Sequence, residues 1–420
     1  MAVALLQVWT WIVVAIMLVY AVRHWRFTWN RISARQRPYY QDMLDSELPR
    51  VTIIVPMHNE ATVAMKSLDA LIASNYPHEL LEVIPIDDQS GDATPALIYD
   101  YSQRYSFIRP VYNLTGERGK AAALNRALHL ASNEIVLVFD ADYTPGRDLV
   151  RELAMAFIDP EVGAVMGRVV PGNSAVNLLT RLLALERSGG YQVDQQARYN
   201  LDLFPQYGGT VGGFRRSVVI AMGGFDTLTL AEDTDLTVRL FIDGWTVLYA
   251  NRAECYEEVP ETWDVRFRQL RRWARGHNRV FFLHIGALIR SRKLTRAQKV
   301  DGALLLFIYT VPPILLSGIA ANALLFYMGQ IPVVPGVLFA LFVVSYNAFG
   351  NFAPVFEVGA AELLDGAQQR LLLLPCLVYL FLFNSWAVTT GAIDALGDFI
   401  KSRRATWDKT RRSGASDAAA

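Results

Sequence analysis

Residues 3 to 22, VALLQVWTWIVVAIMLVYAV, form an uncharged run of 20 residues, and no other feature restricts the fold of this chain as much. An α-helix needs about that length to cross a hydrocarbon core about 30 Å thick. No lysine or arginine precedes the run, whereas Arg23, Arg26, Arg31, Arg35 and Arg37 come after it. The missing basic leader argues for an uncleaved signal anchor over a cleaved signal peptide, and the positive charge behind it predicts that the chain beyond the anchor is cytoplasmic. Three more apolar runs stand near the other end, at about 303–328, 331–356 and 371–396, and they contain Pro312, Pro313, Asn322, Asn347, Asn351, Asn384 and Asp394. A double proline frees backbone groups that lipid cannot satisfy, so that helix is expected to be buried in protein or to line a polar passage, an ordinary packed kink being the plainer alternative. Polar residues at membrane depth are candidates for function or for pairing between helices.

Charge removes other classes. The 40 basic side chains are balanced by 40 acidic ones, which argues against a protein that binds nucleic acid by neutralising phosphates. Cys255 and Cys376, the two cysteines, cannot build a disulfide framework, and the six histidines lack a metal-ligand spacing. Between the apolar ends, VTIIVPM, LEVIPIDD, EIVLVFDAD and VGAVMG are short β-branched runs ending in turn or acidic residues, with helix-like stretches at 60–73 and 119–131 between them. That alternation predicts a mostly parallel sheet flanked by helices, in which ligands bind beyond the carboxyl ends of the strands. The expected organisation is a transmembrane helix over 1–22, a juxtamembrane segment over 23–50 and a catalytic α/β domain over 51–255. Interfacial helices over 256–302, a membrane region over 303–400 and a basic tail over 401–420 complete it.

The strand-end acids carry the chemistry. Asp87 and Asp88 run into Gln89-Ser90-Gly91-Asp92, which also reads as a turn and helix cap. Asp140 and Asp142 (FDAD) are two carboxylates at i and i+2 that can hold a divalent cation while leaving positions open for phosphate oxygens. Glu232 and Asp233 open a helical pattern, where acids complement the helix dipole in any case. Gly116-Glu117-Arg118-Gly119-Lys120 is not a Walker A loop, since Leu114 and Ala121 stand where that motif needs glycine and Ser or Thr, yet Lys120 can neutralise a diphosphate. Gln269-Leu270-Arg271-Arg272-Trp273-Ala274-Arg275, taken as a bare pattern, is an amphipathic helix at the membrane surface.

In this order the pieces resemble the membrane-bound family 2 glycosyltransferases, the group of cellulose, chitin, hyaluronan and poly-N-acetylglucosamine synthases. The likeness covers about residues 50 to 280. Its D-D-x-S turn, Lys-x-x-x-x-Asn helix start, D-x-D, E-D pair and Q-x-x-R-W fall on Asp88 and Ser90, Lys120 and Asn125, Asp140 and Asp142, Glu232 and Asp233, and Gln269, Arg272 and Trp273. The resemblance implies a GT-A type domain. It places the nucleotide sugar on Asp88, Ser90, Lys120, Asn125, Asp140, Gln269 and Arg272, and Mg or Mn on Asp142 with Asp140. It also makes Asp233 the general base beside Glu232, and sets the acceptor sugar on Trp273 near Gly209 and Thr210. The family's Thr-Glu-Asp reads Ala231-Glu232-Asp233 here, which removes a hydroxyl and keeps the proposed base.

The resemblance further implies a processive, inverting polymerase of a β-linked polysaccharide, fed by a nucleotide sugar, UDP-linked in preference to GDP-linked. It would be coupled to export through its own membrane helices in a bacterial inner membrane, with possible export partner subunits. Two alternatives stand beside it: a nonprocessive transferase adding one sugar to a lipid acceptor, and a transport subunit that only senses nucleotide. Topology sets one puzzle. With the catalytic domain cytoplasmic, three C-terminal spans put the tail outside, yet Lys401, Arg403, Arg404, Lys409, Arg411 and Arg412 predict that it is inside. One of the three runs is therefore expected to be re-entrant or interfacial. In the tail, Ala405-Thr406-Trp407 resembles a C-terminal element of poly-N-acetylglucosamine synthases, and Trp407 through Arg411 resembles the gating segment of hyaluronan synthases.

Overall fold

The computed structural model describes residues 1–34, 36–37, 47–330 and 354–401. Helix α1 (Ala2–Ser33) contains the first apolar run and continues unbroken through the arginines behind it. An α/β unit comes next, in the order β1 (Val51–Met57), α2 (Ala64–Ile72), β2 (Leu81–Asp87), α3 (Thr94–Arg104), β3 (Val111–Tyr112), α4 (Lys120–Leu130), β4 (Ile135–Val138), β5 (Thr144–Pro145) and α5 (Leu149–Met155). Then come β6 (Val162–Pro171), α6 (Leu178–Ser188), a π-helical stretch Gly189–Gln195, α7 (Gln196–Asn200), β7 (Gly212–Arg215), α8 (Arg216–Ala221), α9 (Glu232–Ile242) and β8 (Thr246–Glu257). The described chain closes with α10 (Trp263–Arg290), α11 (Arg296–Phe307), α12 (Val311–Tyr327), α13 (354–364) and α14 (Leu377–Lys401).

The strands form one eight-stranded sheet in the order β3-β2-β1-β4-β7-β6-β8-β5. β1, β2, β3 and β4 are mutually parallel, β7 runs antiparallel between β4 and β6, and β6 pairs parallel with β8. β1 and β4 are buried along almost their whole length because helices cover both faces, so their sequences read as continuous β-branched runs with no polar alternation. Parallel register puts the ends of β1, β2 and β4 at one sheet edge, with Asp88 and Asp140 directly beyond them.

α1 packs antiparallel to α11 and α12: Trp9 Nε1 donates to Ser317 Oγ at 3.1 Å and Tyr20 Oη to the Leu304 carbonyl at 2.7 Å. Arg23, first of the basic residues, is buried rather than a free flanking charge, and it pairs with Asp301 at 3.0 Å and Asp194 at 3.2 Å. Removing one partner from such a buried set costs about 3–5 kcal/mol, so this network ties the membrane anchor to the catalytic unit.

Three helical stretches, Ala2–Ser33, Arg296–Tyr327 and Gln368–Ile400, are long and apolar enough to cross a membrane, and the protein is multi-pass in that sense. The double proline has a local reason. A 3₁₀ turn, Ile308–Thr310, precedes α12, and Pro312 and Pro313 occupy its first turn, where backbone N–H groups have no intrahelical acceptor. The Tyr309 carbonyl accepts from Asn278 Nδ2 at 3.4 Å, and Thr310 Oγ1 donates to Asn278 Oδ1 at 2.6 Å. Asn322 bonds back to the Gly318 carbonyl of its own helix, Asn384 donates to Glu186, and Asp394 pairs with Arg271. Most of the run 331–356, with Asn347 and Asn351, and the tail motifs beyond residue 401 lie outside the described residues.

Candidate active site

At the carboxyl edge of the sheet, the turn after β2 places the buried Asp88 carboxylate between two loops. It accepts from Asn113 Nδ2 at 2.6 Å and from the Gly119 N–H at 2.8 Å. Asp88 thus fixes the loop that delivers Lys120 at the start of α4. Ser90 Oγ accepts the Asn59 N–H at 2.8 Å and braces the same edge. Asn125, one turn further along α4, stands apart from the acids: its amide donates to the Phe225 carbonyl and accepts the Phe225 N–H, each at 2.8 Å.

Beyond β4 the chain turns so that Asp140 and the half-buried Asp142 lie just past the strand end. Lys120 Nζ lies 2.6 Å from Asp140 Oδ1 and 4.0 Å from Glu232 Oε1, joining the strand-end acids to the helix-start acids across about 90 residues of sequence. Burial works against the ammonium charge, but Asp140 and Glu232 outweigh it and hold the Lys120 pKa above the ordinary lysine value. Burial, reinforced by the Asp233 charge and opposed by Lys120, pushes the Glu232 carboxyl up to about 7.

The loop between these acids explains the small residues at 208–210. Thr210 Oγ1 accepts the Asp140 N–H at 3.0 Å. Gly209 has φ +76°, and a Cβ there would stand 3.0 Å from Asp233 Oδ2, so any larger residue would crowd the proposed base. Asp233 Oδ1 in turn accepts the Thr234 N–H at 2.7 Å at the opening of α9.

α10 closes the site from the membrane side. A Cβ on Gly276 would fall 2.9 Å from the backbone of Leu230 and Ala231, so the helix rests on the segment leading into Glu232. Gln269 is buried and accepts from Arg266 Nη1 at 3.0 Å, while Arg272 is half buried. The Trp273 ring is overlaid by two guanidinium groups, Arg187 at 5.3 Å and Arg266 at 5.7 Å from its centroid. Arg187 pairs with Glu257 at 2.6 Å, and Tyr143 Oη donates to the same carboxylate at 2.7 Å, so Trp273 is linked to the residue after Asp142.

Residues that the motifs do not name stand beyond Asp233. His277, one turn beyond Trp273, has Nδ1 3.1 Å from Thr234 Oγ1 and stacks on Tyr309 with centroids 4.4 Å apart. Burial lowers its pKa against the opposing charge of Asp233, which favours the neutral imidazole. Asp233, Thr234, His277 and Tyr309 therefore form a chain of contacts from the helix-start acids to the turn before α12. The heptapeptide signal ended at Arg275, so only helical spacing from Trp273 pointed to His277.

Asp140 and Asp142 fit a divalent cation: they are hard oxygen donors on a turn, and the Lys120 ammonium already occupies the cation position beside Asp140. Among the described residues no three His, Cys, Asp or Glu form a complete protein cage. Open positions left for phosphate oxygens suit Mg or Mn better than a closed structural site.

Sheet order, strand-end acids and the lysine between them define a GT-A-like transferase fold. Residues 52–221 match Glycosyl transferase family 2. The chain is 34% identical over 250 residues to the probable glycosyltransferase YdaM of Bacillus subtilis, covering 59% of this chain and 60% of that one. It is 28% identical over 389 residues to the beta-monoglucosyldiacylglycerol synthase of Trichormus variabilis, covering 92% of this chain and 81% of that one. In three dimensions it resembles a mannosyltransferase from Pyrobaculum calidifontis in complex with GDP-Man and Mn2+, with a TM-score of 0.60 and 24% identity over 86% of this chain and 98% of that one. Residues 52–221 are thus similar to the family 2 glycosyltransferases, and the likeness in fold and sequence supports transferase activity. The relatives that cover most of its length are named for a glycolipid rather than for a polysaccharide, against the expectation of a polymer synthase.

Proposed function

We propose that this protein is a membrane-embedded, inverting glycosyltransferase that moves a single hexose from a nucleoside diphosphate sugar to the hydroxyl of a lipid acceptor. A diacylglycerol-type acceptor and UDP-glucose are the first candidates, by similarity to relatives that align through the membrane helices as well as the catalytic domain. The observation that supports the reading is the chain of contacts from Asp233 through Thr234 and His277 to Tyr309, which links the proposed base to the segment leading into α12.

Asp88 and Ser90 would shape the nucleoside site, and Asp142 with Asp140 would hold Mg or Mn. That ion, when bound, supplies positive charge against the diphosphate. Lys120 and Arg272 add positive charge on the leaving-group side, where most of the electrostatic work of the reaction falls. Asp233 takes the proton from the acceptor hydroxyl, whose oxygen attacks the anomeric carbon as the bond from that carbon to the diphosphate oxygen breaks. A single displacement inverts the anomer, so an α-linked donor gives a β-glycoside. Gly209 leaves room beside Asp233 for the acceptor. The basic residues Arg26 and Arg31 directly behind the apolar run support a cytoplasmic catalytic domain.

The deciding experiment incubates the purified protein in lipid vesicles containing diacylglycerol with labelled UDP-glucose, UDP-N-acetylglucosamine or GDP-mannose and Mg or Mn. A monoglycosylated lipid from one donor, absent with Asp233→Asn, is expected. Product of high molecular mass would instead restore the polymerase reading.

A further inference from the structure

α14 is long and apolar enough to cross a bilayer, but its neighbours place it elsewhere. It runs beside α10 in the same direction over most of its length: the Trp263 and Phe383 rings are 4.7 Å apart near one end, and Phe282 and Phe399 5.1 Å apart near the other. The approach is closest in the middle, where a Cβ on Gly391 would overlap the Arg271 carbonyl oxygen. Charge runs along the same seam. Arg271 pairs with Asp394 at 2.6 Å, Arg275 pairs with Asp398, and Asn384 donates at 2.8 Å to Glu186, which also holds Arg266.

α10 itself cannot stand along the bilayer normal. Arg266, Arg268, Arg271, Arg272, Arg275 and Arg279 are spread over about 20 Å of helix axis, and the Arg268 and Arg271 side chains are about half exposed. Each would cost about 2.5–3.5 kcal/mol or more at the bilayer centre. Val280 and Leu288 fix the same helix in the catalytic core. A helix parallel to α10 at every turn shares its plane.

The two faces of α14 agree. Tyr379, Leu382, Trp386, Ile393, Leu396 and Ile400 are all exposed, and at 100° per residue they fall within an arc of about 100°. Asn384, Gly391, Asp394 and Asp398 lie on the opposite side, against α10. An apolar stripe backed by a charged seam, beside the span α12, fits a lipid surface.

We propose that α14 does not cross the bilayer but lies along its surface on the catalytic side, between α10 and lipid, so that the chain passes residue 401 on that same side. Of the three C-terminal apolar runs, the interfacial one is thereby the last. The basic residues from Lys401 to Arg412 then stand on the side where charge bias expects them, with no further crossing.

The test uses the full chain in phosphatidylethanolamine and phosphatidylglycerol vesicles, with Cys376→Ser as background and the buried Cys255 retained. Nitroxides are attached at cysteines replacing Leu382, Trp386, Ile393 and Leu396 in turn, and depth is read from relaxation by oxygen against a water-soluble nickel chelate. Similar, shallow depths at all four positions are expected, while labels replacing Leu5, Trp11 and Leu18 in α1 pass through a mid-bilayer maximum. A maximum within α14 matching that of α1 would overturn the proposal. So would protease protection placing a C-terminal peptide tag across the membrane from the catalytic domain.

Discussion

The two halves of the site are built by different means. On the donor side, Asp88, Lys120, Asp140 and Glu232 are held by bonds among strand ends and helix starts of the α/β unit, and every one of them sits in a short sequence motif. On the acceptor side, Asp233 is reached through Thr234, His277 and Tyr309, three residues drawn from α9, α10 and the turn before α12. The donor half serves a ligand with fixed charges, which strand-end acids and a lysine can meet locally. Under the proposed function the acceptor half receives a hydroxyl from the membrane, and its parts come from elements distant in sequence.

Substitutions separate the halves, the largest effect coming first. Asp233→Asn should lower turnover by about 10²–10⁴-fold, as expected for loss of a general base, while calorimetric nucleotide affinity stays unchanged. Asp142→Asn should reduce turnover by a similar order at its lower end, about 10²-fold, and unlike Asp233→Asn should abolish the dependence of nucleotide binding on Mn. A variant of Asp142 that keeps metal-dependent binding would dissolve the distinction between the two halves.

Smaller effects probe the seam. His277→Ala should lower kcat by about 10-fold with donor KM unchanged, a cost of about 1.4 kcal/mol for a positioning residue. His277→Gln, which can still bond Thr234, should recover part of that loss; a donor KM that rises instead would place His277 on the wrong side of the comparison. Gly209→Ala crowds Asp233 and adds strain at φ +76°, and should cost several-fold in turnover with about 1 kcal/mol of stability, read from a urea transition. Glu232 gives the smallest effect. Its folded pKa near 7 exceeds the ordinary 4.5, so the folded state keeps a proton that the unfolded state has lost between those values. Stability therefore falls as pH rises through that window and levels off above it. Glu232→Gln should flatten the pH dependence of Tm by a few degrees, and an unchanged profile would remove Glu232 as its source.

How much could be read in advance obeys the same division. β1, β2, β4 and β6 were legible because strands buried on both faces must be apolar throughout, and Asp88, Asp140 and Asp142 because parallel strands end at one edge. β7 was not: Gly212–Arg215 is short and glycine-rich, and its antiparallel place between β4 and β6 depends on partners distant in sequence. Asn125 lay in a motif and yet serves the Phe225 backbone, because five residues along α4 turn it about 140° around the helix from Lys120. Trp273 was recognised, but its guanidinium cover was not, since Arg187 lies far from it in sequence.

By itself the sequence determined that this chain enters a membrane, carries an α/β domain and sets acids at the strand ends, because apolar length, β-branched alternation and local motifs are properties of contiguous residues. Tertiary structure alone decided that Arg23 is buried, that His277 reaches Thr234 and that α14 runs along α10. Each of those depends on which distant charge or face a residue meets. A charged side chain in isolation prefers water, and only its partner's position makes burial beside it the lower free energy.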